Sequence, residues 1–299
     1  MGQTGFSPFS IDNSIRYSHM PRRPPLIAFL SDFGLKDSYT GTVKGVIARI
    51  NPDARVIDIT HGIPPQDILA GALILADAVN YFPARTIFLA VVDPGVGSDR
   101  KGMVVELDSC MLVVPDNGLA TPLLKDTERA ERRCFYIENQ RFFLEKISST
   151  FHARDIFAPV AAHLSIGVRP EEFGTVCPEP VMLHWPEPVM DTNTIRGEVI
   201  YIDSFGNLIT NVHAHRVGLQ RPLAARIRSC PEEIPFRKTY SDVEPGQPLC
   251  LEGSFGLLEI AINQGNAARV FRAGRGEPVF FSLNGSNPSP KPVDTCQRT

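Results

Sequence analysis

Four polar constellations stand out along the 299 residues. The first is Asp93-Pro-Gly-Val-Gly-Ser-Asp-Arg100, which sets a guanidinium seven residues after a carboxylate on a glycine-containing turn. A guanidinium facing a carboxylate orients it and favours its ionised form, while the plainer reading of the same spacing is an exposed ion pair. The second, Ser148-Ser-Thr-Phe-His152-Ala-Arg-Asp155, presents one imidazole in a polar turn before an apolar helix. Such a histidine acts either as a proton carrier or as a hydrogen-bonded structural residue. The third pairs Asp32 with Asp37 around Gly34. Carboxylates there can accept from neighbouring hydroxyls such as those of a ribose, or Asp32 can cap the next helix. The fourth is Asp203-Ser-Phe-Gly-Asn207, whose amide offers the paired donor and acceptor that suit a purine edge, although a tight turn alone explains Gly206 and Asn207.

The elements that must position these residues are legible as a pattern. Leu26–Leu30 is a short apolar run ending at Ser31-Asp32-Phe33-Gly34, and Thr86–Val92 is another ending at Asp93. Both read as buried strands that deliver polar residues at their carboxyl ends, where open α/β sheets hold ligands. Tyr39, Val43, Val46, Ile47 and Ile50 recur at helical spacing and stop before Asn51-Pro52. Arg55–Thr60 then reads as a strand, Asp67–Tyr81 as a helix, Met103–Leu107 and Met111–Val114 as a hairpin, and Asp155–Ser165 as a further helix. This alternation predicts an α/β domain with a doubly wound, mostly parallel sheet over residues 25–182. The proline-rich stretch around Trp185 reads as a linker over 183–195. Beyond it, Gly197–Asp203, Asn207–Val212, Ala225–Arg228, Pro248–Leu251, Leu257–Asn263 and Pro278–Leu283 are short β runs, which predicts a smaller all-β, barrel-like domain over 196–284. Residues 1–24 and 285–299 lack periodicity and read as disordered tails.

Composition removes several function classes. Lys and Arg number 30 against 33 Asp and Glu, so the chain has no general basic field and nucleic acid is not expected as a partner. No apolar run approaches the roughly 20 residues that span a bilayer, and no secretory leader pattern opens the chain, so no membrane partner and a cytoplasmic location are expected. The six cysteines are scattered singly and read as reduced packing residues. His213-x-His215 has no evident third ligand, so no metal site is expected. The Gly95-Val-Gly97 pair lacks the third glycine of a dinucleotide loop, since Arg100 stands there.

Six blocks in order carry a resemblance. They are Ser31-Asp-Phe-Gly34, Val92-Asp-Pro-Gly-Val-Gly97, Val114-Pro-Asp-Asn-Gly118, Ser149-Thr-Phe-His-Ala-Arg-Asp155, Asp203-Ser-Phe-Gly-Asn207 and Glu259-Ile-Ala-Ile-Asn263. Together, from about Leu26 to Phe281, they resemble the S-adenosyl-L-methionine (SAM) hydroxide adenosyltransferases, the adenosyl-forming SAM hydrolases related to fluorinase and chlorinase. The resemblance implies an N-terminal α/β domain, a C-terminal barrel-like domain, and hydrolysis of SAM to adenosine and methionine by water attacking C5′, with SAM as substrate and no cofactor. It also implies a homotrimer with sites at subunit interfaces. By the same resemblance Asp93, Arg100 and His152 handle the attacking water, Asp32 the ribose, Asp203 the methionine ammonium and Asn207 the adenine, with Ser254 and the backbone near Asn263 completing the pocket. The halogenases replace the Asp93 block, which favours hydrolysis. A SAM or adenosine sensor without turnover is the alternative kept, with SAM-dependent halogenation behind it.

Overall fold

The computed structural model describes residues 24–127, 132–191, 193–216, 224–228 and 230–283. The expected tails fall almost wholly outside these residues. The chain divides into two compact units between Leu183 and His184.

The first unit holds β1 (Leu26–Ser31), α1 (Tyr39–Ile50), β2 (Arg55–Thr60), α2 (Ile68–Val79), β3 (Thr86–Val91), β4 (Gly102–Glu106), β5 (Cys110–Pro115), α3 (Thr121–Asp126), β6 (Arg133–Tyr136) and α4 (Ala158–Ser165). Its sheet runs in the order β2-β1-β3-β5-β4-β6. The first four in that order are parallel, whereas the β4–β5 hairpin and β6 pair antiparallel at one edge, so the sheet is mixed and the α/β class holds. Strands β1 and β3 are buried almost throughout, as continuous apolar runs in parallel sheets should be when both faces are covered. Val91 packs into the core that α1 and α4 share through Val43, Ile47 and Val160. Val92, its neighbour on the opposite face, lies so close to α2 that a Cβ on Gly71 would stand 3.0 Å from its side chain.

Local chemistry sets the helix ends. The Asp67 carboxylate accepts from the Ala70 N–H and starts α2. Asn51 turns extended ahead of Pro52 and stops α1. The expected Asp155–Ser165 helix differs at its start: Ala153–Phe157 is a π turn that runs directly into α4. An extra residue in a helical turn leaves no periodicity in sequence, and such turns recur at functional sites.

The second unit is antiparallel. It contains β7 (Val189–Met190), β8 (Thr194–Ile202), β9 (Leu208–His213), β10 (Ala224–Ile227), β11 (Cys230–Pro235), β12 (Pro248–Glu252), β13 (Leu257–Ile262), the short α5 (Ala267–Val270) and β14 (Pro278–Ser282). The order β11-β10-β14-β8-β9-β13-β12 is nearly closed, because a bridge between Phe236 and Cys250 joins its two ends. Buried residues alternate along the first half of β8 at Ile195, Gly197 and Val199, as expected of a strand with one face inward. Part of the proline-rich segment therefore joins the sheet, since β7 pairs with β8.

Candidate active site

The strand order makes the site. The chain leaves β1 for β2 on one side and then crosses back to β3 on the other, so the carboxyl ends of β1 and β3 form a topological switch point. Ser31 is in register with Val91, which brings Asp32 and Asp93 out of neighbouring strands at the same edge. Asp32 does not cap α1, whose N-cap is Ser38. Its Oδ2 accepts the Gln66 N–H at 2.8 Å, and Gln66 sits in the left-handed region at φ 67°. A non-glycine residue held there is strained backbone of the kind that clusters at ligand sites.

Asp93 and Arg100 do not form a surface pair. Their side chains are 5% and 9% exposed, and Arg100 Nη2 donates to Asp93 Oδ2 at 2.5 Å. Arg100 Nη2 also lies 3.3 Å from His152 Nδ1. Because a guanidinium has no acceptor, that nitrogen of His152 must be the unprotonated one and the ring proton resides on Nε2. Burial pushes the His152 imidazole below its ordinary range and Arg100 pushes it further. Burial also raises the Asp93 carboxyl, outweighing Arg100 and His152, and nearby Asp32 adds to the rise. Asp93 Oδ1 and Arg100 Nε are buried with no hydrogen-bond partner among the described residues.

Three devices fix this constellation. Asn117 donates to the Val92 carbonyl at 2.8 Å, which pins the backbone immediately before Asp93. Gly97, at φ 80°, runs so close to the Ser149 carbonyl that a Cβ would stand 2.3 Å from its oxygen, locking the Asp93–Arg100 loop against the turn that carries His152. Buried Asp155 takes Arg154 through both oxygens, at 2.6 and 2.9 Å, and its Oδ2 also accepts the Ser148 N–H. Phe33 and Phe151, next to Asp32 and His152, pack edge to face with Tyr39 nearby.

The second unit carries its own network. Asp203 Oδ1 accepts the backbone N–H groups of Phe205 and Asn207, and Oδ2 accepts the Asn207 amide at 3.0 Å. That amide also lies 3.5 Å from the Tyr240 hydroxyl, which donates to Glu259 Oε1 at 2.5 Å. Glu259 is only 4% exposed, and burial raises its carboxyl. The tight turn at Gly206, φ 86°, and the polar role of Asn207 thus coexist. Asn263 uses its amide on the Val243 carbonyl, while Ser254 and Asp37 are exposed and belong to neither network.

Gln66, Asn117, Asp155, Tyr240 and Glu259 were not assigned roles by sequence reasoning. A lone acid inside the apolar run Leu257–Ile262 was the available signal for Glu259. Among the described residues no three His, Cys, Asp or Glu side chains gather as a metal ion would require. Cys110, Cys134, Cys177 and Cys250 are buried and unpaired, whereas the Cys230 side chain and Cys296 lie outside the described residues. A cavity of about 410 Å³ beside β6, lined by Arg133, Cys134 and Cys177 among others, contains none of the candidate residues.

Comparison with known proteins adds the chemistry of relatives. Residues 27–174 match the SAM hydroxide adenosyltransferase N-terminal domain and residues 197–280 its C-terminal domain. The chain is 38% identical over 260 residues to an (R)-S-adenosyl-L-methionine hydrolase of Thermus thermophilus, covering 85% of this chain and 98% of the relative. A protein of the same name from Methanocaldococcus jannaschii is 35% identical, with 82% and 91% covered. A fluorinase of Nocardia brasiliensis is more distant, at 27% identity over 86% of this chain and 96% of its own. The crystal structure of an uncharacterized conserved protein from Thermotoga maritima superposes with a TM-score of 0.80 at 37% identity, covering 86% of this chain and 99% of that one.

Proposed function

The chain belongs to the SAM hydroxide adenosyltransferase family, and from that premise we propose that it hydrolyses S-adenosyl-L-methionine to adenosine and L-methionine, with Asp93, Arg100 and His152 preparing the attacking water. The observation that carries the assignment of these residues is the buried Asp93–Arg100 pair, with the half-buried His152 beside it and two polar atoms without a hydrogen-bond partner among the described residues, at the switch point of the sheet.

The reaction is an in-line displacement. The water oxygen bonds to C5′ as the C5′–S bond breaks, the bonding pair leaves with sulfur as the neutral thioether of methionine, and the water gives up a proton. Asp93 is the group suited to take that proton. Its Oδ1 has no hydrogen-bond partner among the described residues, and burial makes its carboxylate a stronger base than an exposed one. His152 has its Nδ1 committed to Arg100, so it acts as a donor through Nε2 and orients the water. Arg100 stabilises the developing negative charge on oxygen. Positioning water against a bound C5′ is worth about 7–11 kcal/mol when geometry is near attack.

SAM binding divides between the units. Asp32 takes the ribose hydroxyls, and the Asp203–Asn207–Tyr240–Glu259 network takes the cationic amino acid end and the adenine edge. The family expectation of a homotrimer, in which one subunit's first unit works with a neighbour's second, completes the proposal. A species shown by ultracentrifugation to be monomeric at assay concentration, yet fully active, would remove that shared site.

The assay is incubation with SAM in halide-free ¹⁸O-water, with mass spectrometry of the nucleoside. Adenosine bearing ¹⁸O at the 5′ position is expected. SAM that binds saturably but survives would sink the enzyme reading in favour of a sensor.

A further inference from the structure

Behind Asp32 lies a histidine that the hydrolytic scheme does not use. His61 has a side chain only 1% exposed. Its Nδ1 is 2.7 Å from the Ser31 hydroxyl, and its Nε2 is 3.1 Å from Asp58 Oδ1, an ion-pair distance without hydrogen-bond alignment. Asp58 is in turn bonded to Lys44 at 2.6 Å. The Ser31 hydroxyl also accepts the Phe33 N–H at 3.3 Å, and the His61 carbonyl accepts the Gly34 N–H at 2.8 Å. Ser31, immediately before Asp32, is therefore tied to the His61 ring, and Gly34, two residues after Asp32, is tied to the His61 carbonyl.

An irregularity in the sheet puts the ring there. Phe29 pairs with Asp58 but Leu30 pairs with Thr60, so Ile59 is skipped and β2 advances by one residue. Without that bulge the register would set Thr60 beside Ser31; with it, His61 takes the position. Bulges re-aim side chains in this way next to functional sites. The loop that starts at His61 ends at Gln66, whose N–H holds the Asp32 carboxylate. One loop thus grips the turn at His61 and the carboxylate at Gln66.

We propose that His61 is a positioning residue for the Asp32 carboxylate, and through it for the ribose hydroxyls of the nucleoside. Ser31 is fully buried, so the Ser31–His61–Asp58 series is not a nucleophilic triad. It is a brace that runs from the Lys44–Asp58 surface pair to the floor of the site. The inference rests on the reading of Asp32 as the ribose ligand.

The test compares adenosine with 2′,3′-dideoxyadenosine, which lacks both ribose hydroxyls, by calorimetric titration of the full chain. The ratio of their affinities isolates the hydroxyl contact from general folding defects. His61→Gln reaches towards Asp58 but loses the Nδ1 position, and should lower the ratio by about tenfold, the loss of a hydrogen bond to a charged group. His61→Asn keeps an acceptor near the Nδ1 position and should restore the ratio to within about threefold of the parent. Ser31→Ala, which removes the hydroxyl from the other side, should match His61→Gln, so a folding failure in one variant leaves the other to decide. An unchanged ratio in either folded variant overturns the inference. Asp32→Ala serves as the reference: if it too keeps the parent ratio, the ribose assignment of Asp32 is what has failed, whereas a collapsed ratio there with an intact ratio in His61→Gln and Ser31→Ala refutes His61 alone.

Discussion

Asp93→Asn is expected to lower kcat for SAM hydrolysis by about 10³, within the span that a positioned general base contributes, while SAM affinity changes little. Asparagine is the same size and can still accept from Arg100, so the loop keeps its shape. What it lacks is a site for the proton of the attacking water. The loss of charge also leaves the buried Arg100 guanidinium poorly compensated, so stability should drop by a few kcal/mol, on the order of 3–5 kcal/mol if nothing relaxes. Kinetics with matched thermal denaturation separates the two effects, and a variant that binds SAM and turns over at the parent rate would eliminate Asp93 as the base. The pH profile gives the same test a sign. Because burial raises the Asp93 carboxyl, the acid limb of kcat/KM should lie above the ordinary aspartate value of 3.8, with activity lost as pH falls through it. Because the His152 imidazole is lowered, no further loss should appear near the ordinary imidazole value of 6.5. Residual activity in Asp93→Asn should lack the carboxylate limb.

Gly97→Ala is expected to cost about 100-fold in kcat without touching any group that meets the substrate, because a misplacement of about 1 Å at a reacting centre has that effect. The new Cβ would sit 2.3 Å from the Ser149 carbonyl oxygen, a backbone atom that cannot swing aside, and alanine resists the φ of 80°. The loop must lift away from the turn behind it and carry Arg100 away from His152. Gly95→Ala is the control, since its Cβ would meet nothing nearer than 3.5 Å. Equal activity in the two variants would show that the loop-to-turn contact does not set the geometry. Their comparison by kcat and by the chemical shifts of the His152 ring resolves the question.

Much of the architecture was readable because burial leaves a strong pattern. Continuous apolar runs mark β1 and β3, helical spacing marks α1, and the ends of the two strands point to Asp32 and Asp93. The α/β class and the barrel-like second unit followed from the same patterns. The proximity of Asp32 to Asp93 was not readable, because it depends on the β1–β3 register, a long-range fact with no local signature. The π turn after His152 was hidden because one extra residue in a turn does not disturb apolar spacing over a short helix. His61 was hidden for a related reason: the bulge that aims it at Ser31 is a property of strand pairing, and an isolated histidine after a strand looks like any loop residue. Glu259 and Tyr240 show the converse. Their types were visible, but the strand that carries one and the turn that carries the other are brought together by the barrel.

The Gly97–Ser149 contact joins parts of the chain that are made at different times. Asp32 leaves the ribosome first, Asp93 and Arg100 follow, and His152 with the turn that buttresses Gly97 comes last within the first unit. A fragment ending before Ser149 lacks both His152 and the carbonyl against which Gly97 packs, so the Asp93–Arg100–His152 arrangement is incomplete in a half-translated chain. The Asp93–Arg100–His152 arrangement is therefore a property of the completed first unit and does not build up residue by residue along the nascent chain.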